Sequence, residues 1–231
     1  MTRPPDRIPL LPLSDVVHFP RTRLGLAVVD PRHEELVAEL AARDEEDRWL
    51  GTVLVRPGDR RDACGRRRIF SGGTAGRVVD LERRTGGGSR FSLVGESRFT
   101  VTREIAERPF REAEVELVGE PDLREDDAGV VAVRRRIVEL AARLRAEGAL
   151  GEEPALDAGE LLALGLGTAF TFEELVNHVA AEIPLPALRK LELLIRALPD
   201  RALELIAILS GRERVVELLR PYRRPADADL N

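Results

Sequence analysis

The sequence predicts an α+β protein in which a β-rich first half precedes a helical second half. In residues 23–118, short apolar runs, several of them alternating with small or polar residues, are separated by turn-forming glycines, a pattern typical of strands. From residue 129 onward, apolar residues recur every three or four positions, as they do along one face of an amphipathic helix. We therefore expect a small barrel or folded sheet followed by a helical bundle.

Six or so β-prone runs define the predicted strands. Residues 23–29 (RLGLAVV) alternate large and small apolar residues, and residues 49–55 (WLGTVLV) are apolar nearly throughout, which predicts a strand buried on both faces. Two more strands flank the turn at residues 86–89 (GGGS), and another run covers residues 98–102 (RFTVT). In residues 112–118 (EAEVELV), apolar and acidic residues alternate, so one face of that strand is expected to be exposed to solvent. The acidic residues on that face are Glu112, Glu114 and Glu116.

The one helix predicted in the first half starts in the stretch DPRHEELV. Asp30 suits the N-cap position and Pro31 the first turn, where its missing N–H is not needed. His33 and Glu34 look like the start of a zinc-protease motif, His-Glu-x-x-His, but the position of the second histidine holds Val37. Val37 instead continues an apolar stripe, which predicts a core-facing helix and no metal site. The stripe consists of Leu36, Val37, Leu40 and Ala41.

Several helices are predicted in the second half. The first presents its apolar face through Val130, Val133, Ile137, Leu140, Ala141 and Leu144. Thr171 and Glu174 have the spacing of a capping box at the start of the next. Asp200 is predicted to cap a later helix, and Gly211 to interrupt it. Residues 221–231 are polar and contain proline, so we expect a disordered tail.

Six segments follow one another over residues 8–116: IPLLPLSDVVHFP, LGLAVVDPRHEELV, GTVLV, GTAGRVV, FSLVGESRFTV and PFREAEVE. In this order they resemble the N-terminal domain of the Lon protease family. The matching motifs within them are Phe19-Pro20, Asp30-Pro31-Arg32-His33, Gly73-Thr74, and Gly95 with Arg98 and Phe99. In that family, a Phe-Pro turn, a Glu-Pro-Arg-Tyr helix start, a Gly-Thr strand and a Gly-x-x-Arg-Phe segment occupy the corresponding places. His33 replaces the aromatic residue of the family pattern.

The helical half is also similar to the region that follows in Lon, so the resemblance covers residues 8–210. It implies a PUA-like pseudo-barrel over residues 8–119 and a helical bundle over residues 122–220. The function that it implies is non-catalytic: binding of unfolded polypeptide or of a protein partner, linked to ATP-dependent proteolysis. The sequence specifies neither the identity of that partner nor an oligomeric state.

Residues for catalysis are not found in the sequence. An ATPase needs a glycine-rich loop that ends in Gly-Lys-Ser or Gly-Lys-Thr, whereas the glycine-rich stretches here, SGGTAGR and TGGGSR, contain no lysine. Lys190 is the only lysine of the chain and has no serine near it in the sequence, so nothing supports a serine–lysine protease. We expect a stand-alone domain that is not an enzyme and needs no cofactor and no metal.

The charge distribution favours a polypeptide partner over a nucleic acid. Residues 1–120 carry 21 arginines against 21 acidic residues, and residues 121–231 carry 15 basic against 20 acidic residues, which gives the net charge of −5. The alternative function, an RNA-binding PUA-like module, would call for an excess of basic residues. No apolar run is long enough for a membrane span or resembles a signal peptide. A cytoplasmic location and no membrane partner are therefore expected.

Four residues are the candidates for partner binding. Arg32 and His33 belong to the helix-start motif, and Arg98 belongs to the Gly-x-x-Arg-Phe motif. Phe70 closes the basic stretch of residues 60–70, which would suit an anionic partner or form a solvated loop. A structural role, in which Arg32 and Arg98 anchor chain crossings of the barrel, is the alternative for the two arginines.

Overall fold

The protein divides into two compact units. A computed structural model describes residues 3–28, 33–58, 66–83, 88–105, 108–150 and 170–222. The first unit comprises Met1–Asp122 together with Leu185–Leu198, and the second comprises Leu123–Pro184 together with Pro199–Asn231. The domain boundaries predicted from the sequence, 8–119 and 122–220, stay predictions. The first compact unit differs from them because it includes a segment from late in the chain.

Six strands lie in the described part of the first unit. They are β1 (Arg7–Leu13), β2 (Arg23–Val28), β3 (Trp49–Val55), β4 (Ile69–Arg83), β5 (Ser89–Ile105) and β6 (Arg111–Val118). They form one mixed sheet in the order β2-β5-β4-β3-β1-β6, in which β1 and β3 are parallel and the other pairs antiparallel.

Strand β5 makes the sheet fold back on itself. Its first part, Ser89–Val94, pairs with β2, and its later part, from Arg98 to Ile105, pairs with β6. Register shifts along β4 and β5 mark bulges that let these long strands bend. The result is a pseudo-barrel and not a true barrel, with β2 outside the ring of pairings. The α+β class with a PUA-like pseudo-barrel is thus confirmed, although the two runs predicted on either side of residue 96 belong to one strand.

Five α-helices are described in the chain. They are α1 (Glu34–Ala41), α2 (Ala128–Ala146), α3 (Phe172–Glu182), α4 (Ala187–Ile195) and α5 (Leu198–Leu219). Short 3-10 helices occur at Glu45–Asp47 and at Arg220–Tyr222. The latter occupies the beginning of the tail for which disorder is predicted, and residues 223–231 of that tail lie outside the described residues.

Helix α1 packs on one of the two cores of the sheet. The apolar stripe predicted for it is confirmed, since Leu36, Val37 and Leu40 are buried there. The other residues of this core are Leu11, Val28, Leu50, Val78, Phe91, Leu93 and Phe110. Asp30 and Pro31, predicted to begin the helix, lie outside the described residues, and α1 as described begins at Glu34.

The other core fills the interior of the pseudo-barrel. It consists of Ile8, Leu10, Trp49, Val53, Ile69, Ala75, Phe99, Ala113 and Val115. Every residue of β3 is buried, as its apolar composition predicts. The prediction that this face of β6 is exposed to solvent is wrong at Glu112, which is buried and lies 2.6 Å from the guanidinium of Arg7. The ion pair with this cation on the neighbouring strand offsets the cost of removing the carboxylate from water.

In the second unit, polar side chains accept hydrogen bonds from backbone N–H groups at the N-termini of two helices. Asp127 accepts a hydrogen bond from the backbone N–H of Gly129 at 2.8 Å, at the start of α2. Thr171 and Glu174 form the predicted capping box of α3. Apolar side chains of α2, α3 and α5 are buried, among them Ile137, Leu140, Leu175, Val179, Leu205 and Leu209.

Helix α5 differs from its prediction at its N-terminus and at Gly211. It begins at Leu198, before Asp200, so Asp200 lies in the first turn and is not the cap. The carboxylate of Glu120 accepts the N–H of Leu198 at 2.9 Å and takes the place of a local cap. The helix also continues through Gly211, because an interior glycine costs only about 1 kcal/mol relative to alanine.

Val37→His is expected to lower the melting temperature. The side chain of Val37 is 3% exposed within the core of α1, and a buried imidazole without a hydrogen-bond partner costs roughly 1 to 3 kcal/mol. Thermal unfolding measures the effect, and Ala38→His, at an exposed position of the same helix, is the control. Zinc is not expected to rescue Val37→His. Equal melting temperatures for Val37→His and the wild-type protein would contradict the burial of Val37.

Candidate functional site

Helix α4 crosses strand β4 at two glycines. A Cβ atom on Gly72 would lie 2.8 Å from Cγ2 of Ile195, and one on Gly73 would lie 2.2 Å from the backbone oxygen of Thr52. No side chain fits at Gly73, where the obstacle is backbone, and one at Gly72 would displace the methyl group of Ile195, so these glycines favour the close approach of the neighbouring strand and of the helix to β4. All of these residues belong to the first unit.

A cleft opens on each side of this crossing, and both are lined by Gly72, Gly73 and Leu194. One cleft has Val16 and His18 in its wall, and its cavity volume is about 10 Å³. The other contains Arg98, Phe99, Thr100, Val118 and Ile195, and its cavity volume is about 40 Å³. Both are far smaller than the ~300–1,000 Å³ of a typical small-molecule site. They are surface depressions with no room for a cofactor.

Three exposed aliphatic side chains line the two clefts, and a fourth lies two turns away on the same helix. Ile195 is 59% exposed, and Leu188 lies two turns earlier on α4 with a similarly accessible side chain. Val118 lines the cleft of Ile195, and Val16 lines the other. We call Val16, Val118, Leu188 and Ile195 the α4 surface. Clustered apolar side chains of this kind mark protein–protein or peptide contact sites more often than isolated ones do.

Arg98 forms the buried floor of the larger cleft. Its side chain is 5% exposed, and Nη1 donates to the backbone oxygens of Leu194 at 3.1 Å and Arg196 at 2.8 Å. These carbonyls belong to the C-terminal end of α4, where the orphan acceptors and the helix dipole favour a cation. Nη2 donates to the oxygen of Gly119 at 3.4 Å.

Glu120 completes this arrangement. Its Oε1 lies 2.8 Å from Nε of Arg98, as an ion pair without the angle of a hydrogen bond. Its other carboxylate oxygen accepts the N–H of Leu198. Arg98 and Glu120 thus tie the segment after β6 and the segment after α4 to the sheet. The geometry supports the structural role suggested for Arg98, since its donors are directed at the protein's own backbone.

His18 is a buried, neutral residue in the wall of the smaller cleft. It is 4% exposed, and its Nε2 lies 3.0 Å from the oxygen of Thr22. A carbonyl only accepts, so this contact assigns the proton to Nε2. Burial lowers the pKa of His18 from 6.5 to about 4, although the hydrogen bond to Thr22 opposes the shift. The backbone oxygen of His18 also accepts from Thr74 Oγ1 at 2.6 Å, which holds the turn against β4.

The other predicted partner-binding residues lie elsewhere. Phe70, on β4, is half-buried, and the guanidinium carbon of Arg56 lies 4.8 Å from the centre of its ring. His33 is half-buried at the N-cap of α1, where its side chain makes no capping hydrogen bond. Arg32 lies outside the described residues. Arg98, Phe70 and His33 therefore occupy three different elements, and their roles in partner binding stay predictions.

In the described part of the basic stretch, residues 66–70, two arginines take part in hydrogen bonds to backbone oxygens. Arg66 donates to the oxygen of Arg108 at 2.8 Å, and Arg67 accepts from Arg111 at 2.7 Å through its backbone oxygen. With Arg56 stacked on Phe70, these contacts give the stretch a structural explanation in addition to any binding role.

Sequence reasoning missed the α4 surface. Its residues are ordinary aliphatics in the sequence, and only the fold brings Val16 and Val118 beside a helix from residues 187–195. The available signal was the pair Gly72-Gly73 inside an otherwise β-prone run, since an interior glycine in a strand often marks a close approach of another element.

Among the described residues, no group of three or more His, Cys, Asp or Glu side chains is arranged to hold a metal ion. None of the helices described here has the length and hydropathy needed to cross a membrane.

The chain is similar in sequence to a known family of domains and to several known proteins. The family model for the ATP-dependent protease La (LON) substrate-binding domain matches residues 7–210. The Lon protease of Anaeromyxobacter dehalogenans is 28% identical over 227 residues, which cover 95% of this chain and 24% of that protein. The Lon protease of Syntrophus aciditrophicus is 28% identical over 142 residues, or 61% of this chain and 18% of that protein. The chain thus spans about a quarter or less of the length of these relatives.

Two solved structures have the same fold. The N-terminal domain of the Mycobacterium avium complex Lon protease superposes with a TM-score of 0.65 at 19% identity, covering 88% of this chain and 98% of that one. A Lon N-terminal domain protein from Xanthomonas campestris gives a TM-score of 0.54 at 21% identity, covering 87% and 97% of the two chains.

Proposed function

The chain belongs to the family of Lon substrate-binding domains, and from this premise we propose that it binds unfolded polypeptide segments at the α4 surface, as a step in ATP-dependent proteolysis. Binding, without turnover of ATP or peptide bonds, is the role proposed for the chain itself. It agrees with a sequence that has no phosphate-binding Gly-Lys-Ser or Gly-Lys-Thr loop. The cytoplasmic location expected from the sequence stays a prediction.

The observation that carries this proposal is the exposure of aliphatic side chains around two small clefts. Unfolded chains differ from folded ones chiefly in the apolar side chains that they present to water, and burial of these side chains is the main source of affinity. Val118 and Ile195 line the larger cleft, so an apolar side chain that docks there would contact both. The affinity is expected to be weak, because an extended segment loses conformational entropy when it docks.

Ile195→Ser is expected to weaken the binding of a fluorescent unfolded protein about fivefold, since about 1 kcal/mol of lost apolar burial corresponds to roughly that factor. Leu203→Ser is the matched control, because Leu203 is 58% exposed against 59% for Ile195 and lies outside the α4 surface. Fluorescence anisotropy titrations of the three proteins measure the difference.

The same titrations include a mixed RNA pool at low and at moderate salt. An RNA-binding module would bind the pool tightly at low salt and lose affinity steeply as salt rises, because phosphate contacts release counterions. RNA binding of that kind, without binding of unfolded protein, would replace the proposed function by the RNA-binding alternative. Equal effects of Ile195→Ser and Leu203→Ser would remove the α4 surface from the proposal.

A further inference from the structure

Strand β2 is an edge strand whose outer side is unpaired in the described part of the chain. It pairs with β5 on one side and has no strand on the other. The free edge of such a strand carries N–H and C=O groups that can template another strand. Natural proteins usually guard these edges with charges, prolines or bulges, and β2 has one charge, Arg23 at its first position, whereas Leu24–Val28 contains none of these features.

The register identifies the backbone groups that point outward. Gly95 N donates to the oxygen of Thr22 at 3.0 Å, so the pair Thr22–Gly95 is hydrogen-bonded. In an antiparallel ladder the hydrogen-bonded and non-hydrogen-bonded pairs alternate. The pairs that contain Val94, Ser92 and Arg90 are therefore non-hydrogen-bonded. The residues of β2 in these pairs, whose N–H and C=O face the free edge, are Arg23, Gly25 and Ala27.

The side chains beside this edge leave room for an added strand. Gly25 and Ala27 are exposed, and a Cβ atom built on Gly25 would meet no atom within 4 Å. The opposite face of β2 is apolar, with Leu24 and Leu26 half-buried and Val28 buried. An added strand would thus extend an apolar face on one side and a small, open face on the other.

The open face carries charges of both signs, since Arg23 pairs with Asp80 and Glu82 of β4 is the cross-strand neighbour of Arg90. Arg90 lies opposite Ala27, is exposed, and has no ion-pair partner among the described residues. An added strand would lie one strand spacing beyond β2, about 9.6 Å from β5. The guanidinium of Arg90 can extend across the small side chain of Ala27 over such a distance. An acidic side chain placed beside Ala27 is the complement of this arrangement.

We propose that the outer edge of β2 binds an extended polypeptide segment as a seventh strand, through the backbone groups of Arg23, Gly25 and Ala27. The preferred segment carries aliphatic side chains on the face of Leu26 and acidic side chains on the face of Arg90. It contains no proline at the positions that donate to the edge. This inference goes beyond the proposed function, because it adds to the α4 surface a second place at which polypeptide is held, through its backbone.

The first test is Gly25→Pro, with Gly25→Ala as its control. Proline removes the outward N–H and places its ring on the free edge, whereas it leaves the pairing of Leu24 and Leu26 with β5 in place. Alanine keeps the N–H and adds a methyl group into open space. The probe is a labelled peptide of about eight residues in which valine and glutamate alternate. Gly25→Pro is expected to weaken its binding about tenfold, and Gly25→Ala to leave it unchanged.

The second test needs no protein variant. Two isomers of the peptide carry N-methyl groups either on the glutamates or on the valines. Because successive N–H groups of a strand point in opposite directions, only one isomer keeps the N–H groups that face β2. With antiparallel pairing, residues directly opposite share a face, so the glutamate-methylated isomer is expected to lose binding and the valine-methylated isomer to keep it. A lysine-for-glutamate peptide is expected to bind more weakly than the original.

The outcomes separate this inference from the proposed function. One outcome overturns the strand-addition inference alone. In it, unfolded protein binds and Ile195→Ser weakens this binding, but the peptide binds equally well to Gly25→Pro and Gly25→Ala, and its two methylated isomers also bind equally well. If the wild-type chain binds neither unfolded protein nor the peptide, both are overturned. A difference between the two methylated isomers, together with the loss in Gly25→Pro at an unchanged melting temperature, supports strand addition.

Discussion

Arg98→Ala is expected to lower the free energy of unfolding by about 3 to 5 kcal/mol, because it removes the cation of a buried ion pair and leaves its carboxylate largely shielded from water. Glu120 would lose the counter-charge of Arg98 and keep its hydrogen bond from Leu198. The backbone oxygens of Leu194, Arg196 and Gly119 would each lose a donor as well. Chemical denaturation, followed by circular dichroism, measures the change.

Arg103→Ala is the control for this experiment. Arg103 lies on the same strand and also contacts a carboxylate, with Nε 3.0 Å from Oε2 of Glu114. Its side chain is 69% exposed, so water solvates both charges and the loss of the pair is expected to matter far less. If Arg98→Ala were as stable as the wild-type protein but no longer bound polypeptide, Arg98 would belong to the binding surface instead.

Stability is expected to fall by about 3 kcal/mol between pH 6.5 and pH 4 through His18 alone. Its pKa is lowered to about 4 in the folded protein and returns to 6.5 on unfolding. Between these values the unfolded chain takes up a proton that the folded protein does not bind, so protonation favours unfolding. The contribution is fully present above pH 6.5 and is lost as the pH falls toward 4.

His18→Gln isolates this effect. Glutamine does not titrate, and its Nε2 amide can donate to the oxygen of Thr22 as His18 does. The difference in unfolding free energy between the two proteins is therefore expected to change with pH over the range 4 to 6.5, and to be constant above it. Parallel pH profiles for wild-type and His18→Gln would mean that the pKa of His18 is the same in the folded and the unfolded protein, contrary to its burial.

The local elements of the fold could be predicted from the sequence because their signals are local. The apolar run of β3, the capping box of Thr171 and Glu174, and the buried stripe of α1 each depend on residues within a few positions of one another. The errors arose where a distant residue changes the local preference. Arg7 allows Glu112 to be buried, and Glu120 replaces Asp200 as the partner of the first N–H of α5.

The candidate site was much less predictable. Arg98 was identified by its motif, but its contacts lie 96 and 98 residues away in the chain, beyond any periodicity in the sequence. The α4 surface requires knowing that α4 packs on Gly72, and the free edge requires the order of the strands. Both are properties of the tertiary arrangement, and no single run of residues encodes them.

The first unit is discontinuous in the chain, and this has a consequence for its folding during synthesis. The sheet is translated by residue 118, but Leu185–Leu198 follows only after the whole of Leu123–Pro184. At roughly 5 to 20 residues per second, the ribosome needs about 4 to 15 s to add the missing helix. During that interval the nascent sheet presents Gly72 and Arg98 without α4 to cover them. Unit 1 therefore completes its folding after most of unit 2 has emerged, so a chain truncated before residue 185 contains every strand and still lacks the helix that closes the sheet.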